Sequence, residues 1–438
     1  MILKESTLRR LFLVTVFSLP VWPGFVALKL GALPGVDPTR ILILILLLGW
    51  LLLVIASGHM RLALVRVYQG HRILFMLMFM LFGWELLSAV TMGGGLSSLF
   101  SAIRDVVYYL VIFLISLSVL RNEKHLNGVM HAVVLSSIFV TIVAHIELIQ
   151  GHNLFVHYAT AGDIADEILA EQTRGGESRV SGTFANPLAL ASFICISFPM
   201  MIYVFSRSPD LIWRGLALLA LCLSSSAMYH THSRGGLVVL ALIFLLFFME
   251  QVRSLVRRVQ NEWKPAVILL AFGSIVLLGA LFISMAIGLA QGRNETESAS
   301  SDIRVMQMAL GTPKVMAKPW LGYGPGNAAQ ELGLLAKTVD NYYLTLALES
   351  GLPELLSFIG LLSGMAAIGW RLYRVRWHGR YLSGMITMSI VGNILFMTVL
   401  SLEQVLPIMF IAFAMLLVLD DQMRQARALR LTHGNGGI

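Results

Sequence analysis

Residues 41–57 read ILILILLLGWLLLVIAS, a run without a single charged side chain. As an α-helix, a run of about 17–25 apolar residues is long enough to cross the ~30 Å hydrocarbon layer of a bilayer. The whole chain has the same character, because 57% of its 438 residues are hydrophobic and 13% are charged, against about one-quarter charged in an average soluble domain. The sequence therefore predicts an all-α, polytopic membrane protein and excludes a water-soluble domain.

Apolar runs of this length recur along almost the whole chain. We place about twelve transmembrane helices, near residues 11–30, 41–57, 73–91, 106–120, 129–149, 188–206, 211–229, 236–250, 266–290, 342–369, 381–400 and 405–419. Two long connections remain between them, at 150–187 and 291–341. We expect one polytopic membrane domain over residues 1–438, with two large loops on the same side.

The Lys and Arg residues predict the orientation, because basic residues in short loops stay on the cytoplasmic side. Alternate segments between the spans hold 21 of the 32 Lys and Arg residues. Both termini are thus predicted to be cytoplasmic, and the two long loops lie outside. Only Lys29, Arg40, Arg104 and Arg234 occupy short outer segments. The net charge of +8 mostly reflects this topology, so nucleic acid is not an expected partner.

The second long loop carries two predicted local structures. Apolar and polar residues alternate from Asp302 to Ala317, which predicts a short interfacial helix. The run Gly322-Tyr323-Gly324-Pro325-Gly326 must turn sharply, and it lacks the Gly-Lys-Ser/Thr ending of a phosphate loop. We interpret the glycine run as a tight turn.

Three predicted spans enter the membrane from the outer side with recognisable helix-start signals. These signals are Asn186-Pro187, Ser233-Arg234 and Asp340-Asn341. A helix start presents backbone N–H groups that favour anions, and a neighbouring arginine adds charge-assisted hydrogen bonds to phosphate. If the three starts meet in space, they form a binding site for a diphosphate. The alternative is that Asn186, Ser233 and Asp340 are ordinary helix caps.

Arg234 is the most informative single residue, because it lies in a very short outer turn against the charge rule. Such a charge usually serves a partner, although it could instead reach lipid headgroups. Arg304, on the predicted interfacial helix, and Arg179 are further candidates to face the same anion. The alternative for both is a solvated surface position.

The outer-side candidates for a general base are Asp340, Glu403 and the carboxylates of the first long loop, with His230 and His232 beside Arg234. Glu349 lies nine residues after Asp340, so on one helix the two carboxylates would point to opposite faces and could not act as a pair. His230 and His232 lack a third ligand at a suitable spacing, so no metal site is predicted.

Two more carboxylates, Glu85 and Glu147, lie inside predicted spans near their outer ends. Ionisable side chains at such positions are costly and are often functional. Pairing with an arginine or a backbone group would serve the structure equally well. The sequence leaves the roles of both residues open.

Four stretches resemble the bacterial O-antigen ligase/polymerase superfamily, whose members are membrane glycosyltransferases that join lipid-linked glycans at the periplasmic face of the inner membrane. The stretches are Leu33–Pro38 with Arg40, Arg179–Pro187, His232–Gly236, and a long one from Arg304 through Pro319–Gly326 to Asp340–Leu344, Glu349 and Gly351. Each motif is loose by itself. Their order and their placement on one side of the membrane make the joint match specific.

The resemblance implies a GT-C-like fold with two large periplasmic loops and an inverting, metal-independent transfer that needs no cofactor. It assigns the diphosphate-binding arginines to Arg234, Arg304 and Arg179, and the catalytic base to Asp340. Supporting positions are Ser233, Asn341, Asn186, Tyr342 and Glu349. Ligases typically carry His at the position of Asp340, whereas an Asp-Asn pair resembles many polymerases.

The leading hypothesis is a polymerase of O-antigen or exopolysaccharide repeat units in the bacterial inner membrane. Its expected partners are an undecaprenyl-diphosphate-linked glycan donor and acceptor, membrane lipid and a chain-length regulator. An O-antigen ligase, which passes glycan to lipid A-core or another acceptor, is the nearest alternative. A third hypothesis is a transporter or flippase of lipid-linked sugars, which predicts charged residues along a path through the bilayer midplane.

Overall fold

The structure is a computed structural model that describes most of the chain. The described residues are 4–28, 35–92, 95–160, 162–174, 177–266, 268–270, 273, 295–333, 339–398 and 404–434. Leu33 and Pro34 of the first resembling stretch and the candidate base Glu403 lie outside them. So does nearly all of the predicted span 266–290.

The described residues form a bundle of α-helices. In chain order the helices are α1 Glu5–Val21, α2 Pro38–Ala56, α3 Gly58–Gly70, α4 Arg72–Thr91, α5 Gly95–Asp105, a π-helix Val106–Val111, α6 Ile112–Val119, α7 Glu123–Gln150, α8 Gly162–Gln172, α9 Pro187–Arg207, α10 Leu211–His230, α11 Arg234–Arg258, α12 Glu295–Ala317, α13 Ala328–Glu331, α14 Tyr342–Glu349, α15 Leu352–Arg374, α16 Arg380–Phe396 and α17 Leu406–Gly434. Single 3₁₀ turns occupy Val156–Tyr158 and Asn261–Trp263. In the first long loop, the two-residue strands β1 Thr173–Arg174 and β2 Glu177–Ser178 pair antiparallel.

Nine helices among the described residues are long and apolar enough to cross a membrane. They are α2, α4, the continuous run Gly95–Val119, α7, α9, α10, α11, α15 and the Leu406–Ala428 part of α17. Two more predicted spans correspond to α1 and α16, which have 17 residues each, near the lower limit of about 17 for a spanning helix. The all-α polytopic membrane fold is confirmed, and the total of twelve spans stays a prediction.

Several predicted boundaries need correction. The span predicted at 106–120 begins earlier, because the continuous helical run is Gly95–Val119 and includes Arg104, which the sequence predicts in an outer loop. The span predicted at 342–369 is two helices, because α14 ends at Glu349 and α15 begins at Leu352. Between them Gly351 has a φ of 85°, a left-handed conformation that cannot continue a right-handed helix. The span predicted at 11–30 ends earlier, since α1 stops at Val21.

α9 and α17 form the centre of the bundle. In the most apolar 18-residue segment of each of these two helices, 89% is buried within the protein. The corresponding share is 22% for α11 and 28% for α2 and α10. α16 packs directly against α9, where the Ser192 hydroxyl and the Asn393 amide oxygen lie 3.1 Å apart. Small residues and such hydrogen bonds hold membrane helices together where the hydrophobic effect between them is weak.

The residues between α14 and α15 are held by backbone hydrogen bonds to the segment that follows α12. The backbone N–H groups of Tyr323 and Gly324 donate to the carbonyls of Leu348 and Glu349, each at 2.8 Å. In return the N–H of Leu352 donates to the Pro319 carbonyl at 2.7 Å. We call these reciprocal bonds, between residues 319–324 and 348–352, the glycine clamp.

The glycine clamp depends on close backbone approach. Gly322, Gly324 and Gly326 all have positive φ angles, which confirms the predicted tight turn. A Cβ atom on Gly322 would lie 2.4 Å from the Leu348 carbonyl oxygen, and one on Gly351 would lie 2.4 Å from the Trp320 carbonyl oxygen. α4 fixes the same segment, because the Ser88 hydroxyl donates to the Leu321 carbonyl at 2.6 Å.

We predict that Gly351→Ala destabilises the protein by about 2–4 kcal/mol, from the strained φ angle and the backbone clash together. The thermal unfolding midpoint of the detergent-purified protein measures the effect. Gly83→Ala is the matched control, because Gly83 is an exposed position of α4 with no atom near its would-be Cβ. Equal midpoints for the two variants would contradict the clamp.

Candidate functional site

The predicted helix starts share one end of the bundle. A Cβ on Gly236, in the first turn of α11, would lie 3.1 Å from the Ala191 side chain in the early part of α9. The backbone N–H of Tyr342, the first residue of α14, donates at 3.1 Å to the carbonyl of Met397, which follows α16. The N-termini of α9, α11 and α14 therefore lie together at what we call the site end.

A side chain caps each of the three predicted helix starts. The side-chain oxygens of Asn186, Ser233 and Asn341 accept from backbone N–H groups at 2.7, 3.1 and 3.1 Å. The capping interpretation is thus correct for Asn186 and Ser233, whereas at the third start Asn341, and not Asp340, is the cap. A cap satisfies only one of the four N–H groups that a helix start leaves without an intrahelical partner, so capping and anion binding are compatible.

Arg304 and Asp340 form an ion pair at the site end. The Arg304 Nε and Asp340 Oδ2 atoms are 3.6 Å apart, and both side chains are partly exposed. The pair forms because α12 packs against α14, with a Cβ on Gly311 only 2.9 Å from the Leu344 side chain. Gln307, buried on α12, accepts from the Asp340 backbone N–H at 2.9 Å. α12 thus supplies two partners of Asp340. The Arg304 guanidinium pairs with its side chain, and the Gln307 side chain accepts from its backbone N–H.

Arg179 lies against the turn that carries Arg234. Its side chain is only 2% exposed, and its Nε donates to the Thr231 carbonyl at 3.0 Å. The next residue continues the contact, because the Val180 N–H donates to the His230 carbonyl at 3.1 Å. The segment that begins at Arg179 therefore supports the α10–α11 turn from within the protein. Arg234 itself is the half-buried first residue of α11.

Glu147 organises the segment between Arg179 and α9. Its carboxylate is 2% exposed and accepts from the backbone N–H groups of Ser181 and Gly182 at 3.0 and 2.6 Å. It also accepts from the Ser181 hydroxyl at 3.1 Å and the Gln172 amide at 3.2 Å. Four donors compensate a buried carboxylate for lost hydration. Glu147 therefore has a structural role that the sequence left open.

Tyr342 and Glu349 are the first and last residues of α14. The Glu349 carboxyl interacts electrostatically with the buried carboxyls of Glu85 and Glu354. The Tyr342 ring packs 5.4 Å from that of Phe358. Burial raises the pKa of the Tyr342 phenol well above its usual value, so the side chain remains neutral. The supporting roles of both residues stay predictions.

The structure adds a cavity of about 260 Å³ at the site end. It lies between the end of α1, the start of α2, the π-helix and the start of α17. Its lining includes Trp22, Asp37, Arg40, Arg104, Tyr108, Tyr109, Thr183, Phe184 and Gln404. π-Helical turns inside α-helices are frequent at functional sites, and this one supplies both tyrosines. In the sequence, the signal for this cavity is that Arg40 and Arg104 are basic residues on the outer side, where the positive-inside rule does not expect them.

The charges of the cavity are paired. Arg40 Nε lies 2.9 Å from Asp37 Oδ2, and Arg104 Nε lies 2.8 Å from Asp105 Oδ1. Arg40 also donates to the Gly35 carbonyl. Paired charges offer donors and acceptors together, and aromatic rings offer apolar faces. This lining suits a single sugar ring, since the volume is below the ~300–1,000 Å³ of pockets for larger ligands.

Metal ligation has no geometric support in the part of the chain that the structure describes. There, no group of three or more His, Cys, Asp or Glu side chains is arranged to hold an ion. His230 and His232 flank the α10–α11 turn, and His232 adopts a left-handed φ of 51°. We therefore assign the histidines to the geometry of that turn.

Residues 219–359 match the family model described as O-antigen ligase. The matched segment is less than half of the 438-residue chain, and it contains Arg234, Arg304 and Asp340. Over this segment, the match confirms the resemblance to the superfamily that the sequence stretches predicted. Among curated proteins, no match was found.

We predict that Glu147→Gln loosens the segment after Arg179, because the new amide N–H₂ would face backbone donors. Hydrogen exchange at the Ser181 and Gly182 amides should accelerate about tenfold or more, as expected for loss of charge-assisted hydrogen bonds of about 1.5–3 kcal/mol. Asp166→Asn, an exposed carboxylate on α8, is the control and should leave both amides unchanged. Unaltered protection in Glu147→Gln would disprove the anchoring role.

Proposed function

We propose that this chain, a membrane enzyme of the O-antigen ligase/polymerase superfamily, polymerises oligosaccharide repeat units linked to a polyprenyl diphosphate. In the proposed reaction, a hydroxyl oxygen at the non-reducing end of one lipid-linked unit attacks the anomeric carbon of the growing glycan. The bond between that carbon and the diphosphate oxygen breaks with inversion. The proton of the hydroxyl passes to a carboxylate, and the polyprenyl diphosphate leaves.

The observation that carries the proposal is the Arg304–Asp340 pair. An arginine beside a carboxylate favours the charged form, which is the form that accepts a proton. Arg304 is also a guanidinium at the place where a diphosphate would leave, and bidentate arginine contacts suit phosphate oxygens. We assign Asp340 as the base and Arg304 as one holder of the leaving group.

Arg234 is the second proposed holder of the diphosphate. It is the first residue of α11, at a helix start whose free backbone N–H groups favour anions. Cations and helix starts that are fixed before the reaction stabilise developing negative charge without reorganisation. Arg179 and Glu147 would act as positioning residues, since they hold the preceding turn and the neighbouring segment.

The direction of the site and the partners of the enzyme follow from the same proposal. We assign the site end to the periplasmic side of a bacterial inner membrane and the chain termini to the cytoplasm, from the distribution of basic residues. The donor and acceptor are then lipid-linked glycans that enter from the outer leaflet, with a chain-length regulator as a further partner. The candidate charges lie at one end of the bundle, which disfavours transport through the midplane.

A ligase is the second candidate, because the matched family model is described as O-antigen ligase. The two activities separate in a reaction with purified full-length protein and defined lipid-linked repeat units as the only glycan. We predict a ladder of products that differ by one repeat unit. A reaction that begins only after a second acceptor, such as lipid A-core, is added would instead identify a ligase.

We predict that Asp340→Asn, Arg304→Ala and Arg234→Ala each lower the polymerisation rate by about 100-fold or more, the usual scale for removing a general base or a charged transition-state contact. Asp302→Asn on α12 and Arg66→Ala on α3 are exposed controls and should retain the parental rate. Equal unfolding midpoints establish that the variants are folded. A full product ladder from Asp340→Asn would remove the carboxylate from the mechanism.

A further inference from the structure

A larger cavity lies at the opposite end of the bundle, which we call the basic end. It occupies about 700 Å³ where α9 and α11 end and α16 begins. Arg207, Arg257, Arg258 and Arg380 line it, with His378. These residues come from separate parts of the chain and meet only in the folded bundle. Nothing in the proposed glycosyl transfer uses this cavity.

The cavity has an excess of positive charge. Four arginines line it against two carboxylates, Glu123 and Glu250. Arg380 pairs with Glu250 at 3.3 Å, and the Arg207 guanidinium lies 4.4 Å from the centre of the Tyr381 ring. Such aromatic contacts hold a guanidinium in place while its N–H groups remain able to bind phosphate oxygens. The cavity therefore suits an anionic ligand.

An apolar groove lies beside this cavity. It has a volume of about 270 Å³ and is lined by α11, α15 and α16. Glu250 and Tyr373 line both the cavity and the groove, so the two spaces adjoin. Along α11 the groove runs from Val239 to Arg253, which is about 21 Å at ~1.5 Å per residue. Its length and apolar lining match an acyl chain.

We propose that the basic end binds an anionic phospholipid, with its phosphate in the arginine cavity and one acyl chain in the groove. A free phosphate or nucleotide would use the cavity and leave the groove without a role. Within the part of the chain that the structure describes, α11 is the least enclosed of the candidate spans, which leaves one side of the groove accessible to membrane lipid there. Basic pockets between transmembrane helices are known to hold anionic headgroups.

The positive-inside rule alone does not explain this arrangement. That rule accounts for arginines at the cytoplasmic ends of helices, and it is satisfied by side chains that spread into solvent. Here the arginines line one cavity, and an apolar groove of suitable length adjoins it. The adjacency of a cationic cavity and an apolar groove is the observation that selects a phospholipid.

The test uses the full-length protein, purified in detergent and incubated with phosphatidylglycerol or phosphatidylcholine. Native mass spectrometry counts the retained lipid. We expect selective retention of phosphatidylglycerol, and Arg257→Gln with Arg258→Gln should weaken it by about fivefold for each arginine. Arg66→Gln on α3 is the matched surface control. Arg257→Lys with Arg258→Lys keeps the charge and should retain most of the binding.

A substitution in the groove distinguishes binding of a lipid from binding of free phosphate. Val391→Phe fills the groove and should lower phosphatidylglycerol retention while it leaves weak binding of inorganic phosphate unchanged. Equal retention of the two lipids by the parent protein would overturn the proposal. Retention that depends on the arginines and is insensitive to Val391→Phe would show a phosphate site without the acyl groove, and would also overturn it. Neither result depends on glycosyl transfer.

Discussion

The candidate site depends on the backbone hydrogen bonds of the glycine clamp. These bonds fix α14 as a separate short helix by tying its C-terminal carbonyls to residues 319–324. Because the same segment follows directly from α12, the clamp also sets where α12 lies. The Arg304–Asp340 pair spans α12 and α14, so its geometry is a consequence of backbone contacts rather than of the two charges. A partly exposed ion pair by itself contributes little to stability.

Two buried carboxylates of the bundle, Glu147 and Asp420, are compensated by different kinds of partner. Glu147 is surrounded by neutral donors and orders a connecting segment. Asp420, which is fully buried in α17, instead meets His71 at 2.9 Å, Arg371 at 2.6 Å and Arg424 at 2.7 Å. The first holds the site end and the second joins helices at the other end. Both roles agree with the high cost of an uncompensated charge in a low-dielectric region.

The two ends of the molecule have different electrostatic designs. At the site end several arginines lie beside carboxylates, as in the Arg304–Asp340 and Arg40–Asp37 pairs, while the buried Arg179 donates to the Thr231 carbonyl. At the basic end the arginines outnumber the carboxylates around their cavity. Paired charges offer both donors and acceptors to a polar ligand, whereas an excess of cations favours an anionic ligand.

The sequence by itself determined the class of fold, the positions of most spans, the helix caps at Asn186 and Ser233, and the sharp turn at Gly322–Gly326. Hydropathy, caps and glycine turns are encoded within about twenty consecutive residues, so local reading recovers them. Only the tertiary structure decided that Arg179 is buried, that Glu147 anchors Ser181 and Gly182, and that Arg40 and Arg104 line one cavity. It also separated α14 from α15. These features arise from contacts between helices far apart in sequence, and no local pattern of residues encodes such contacts.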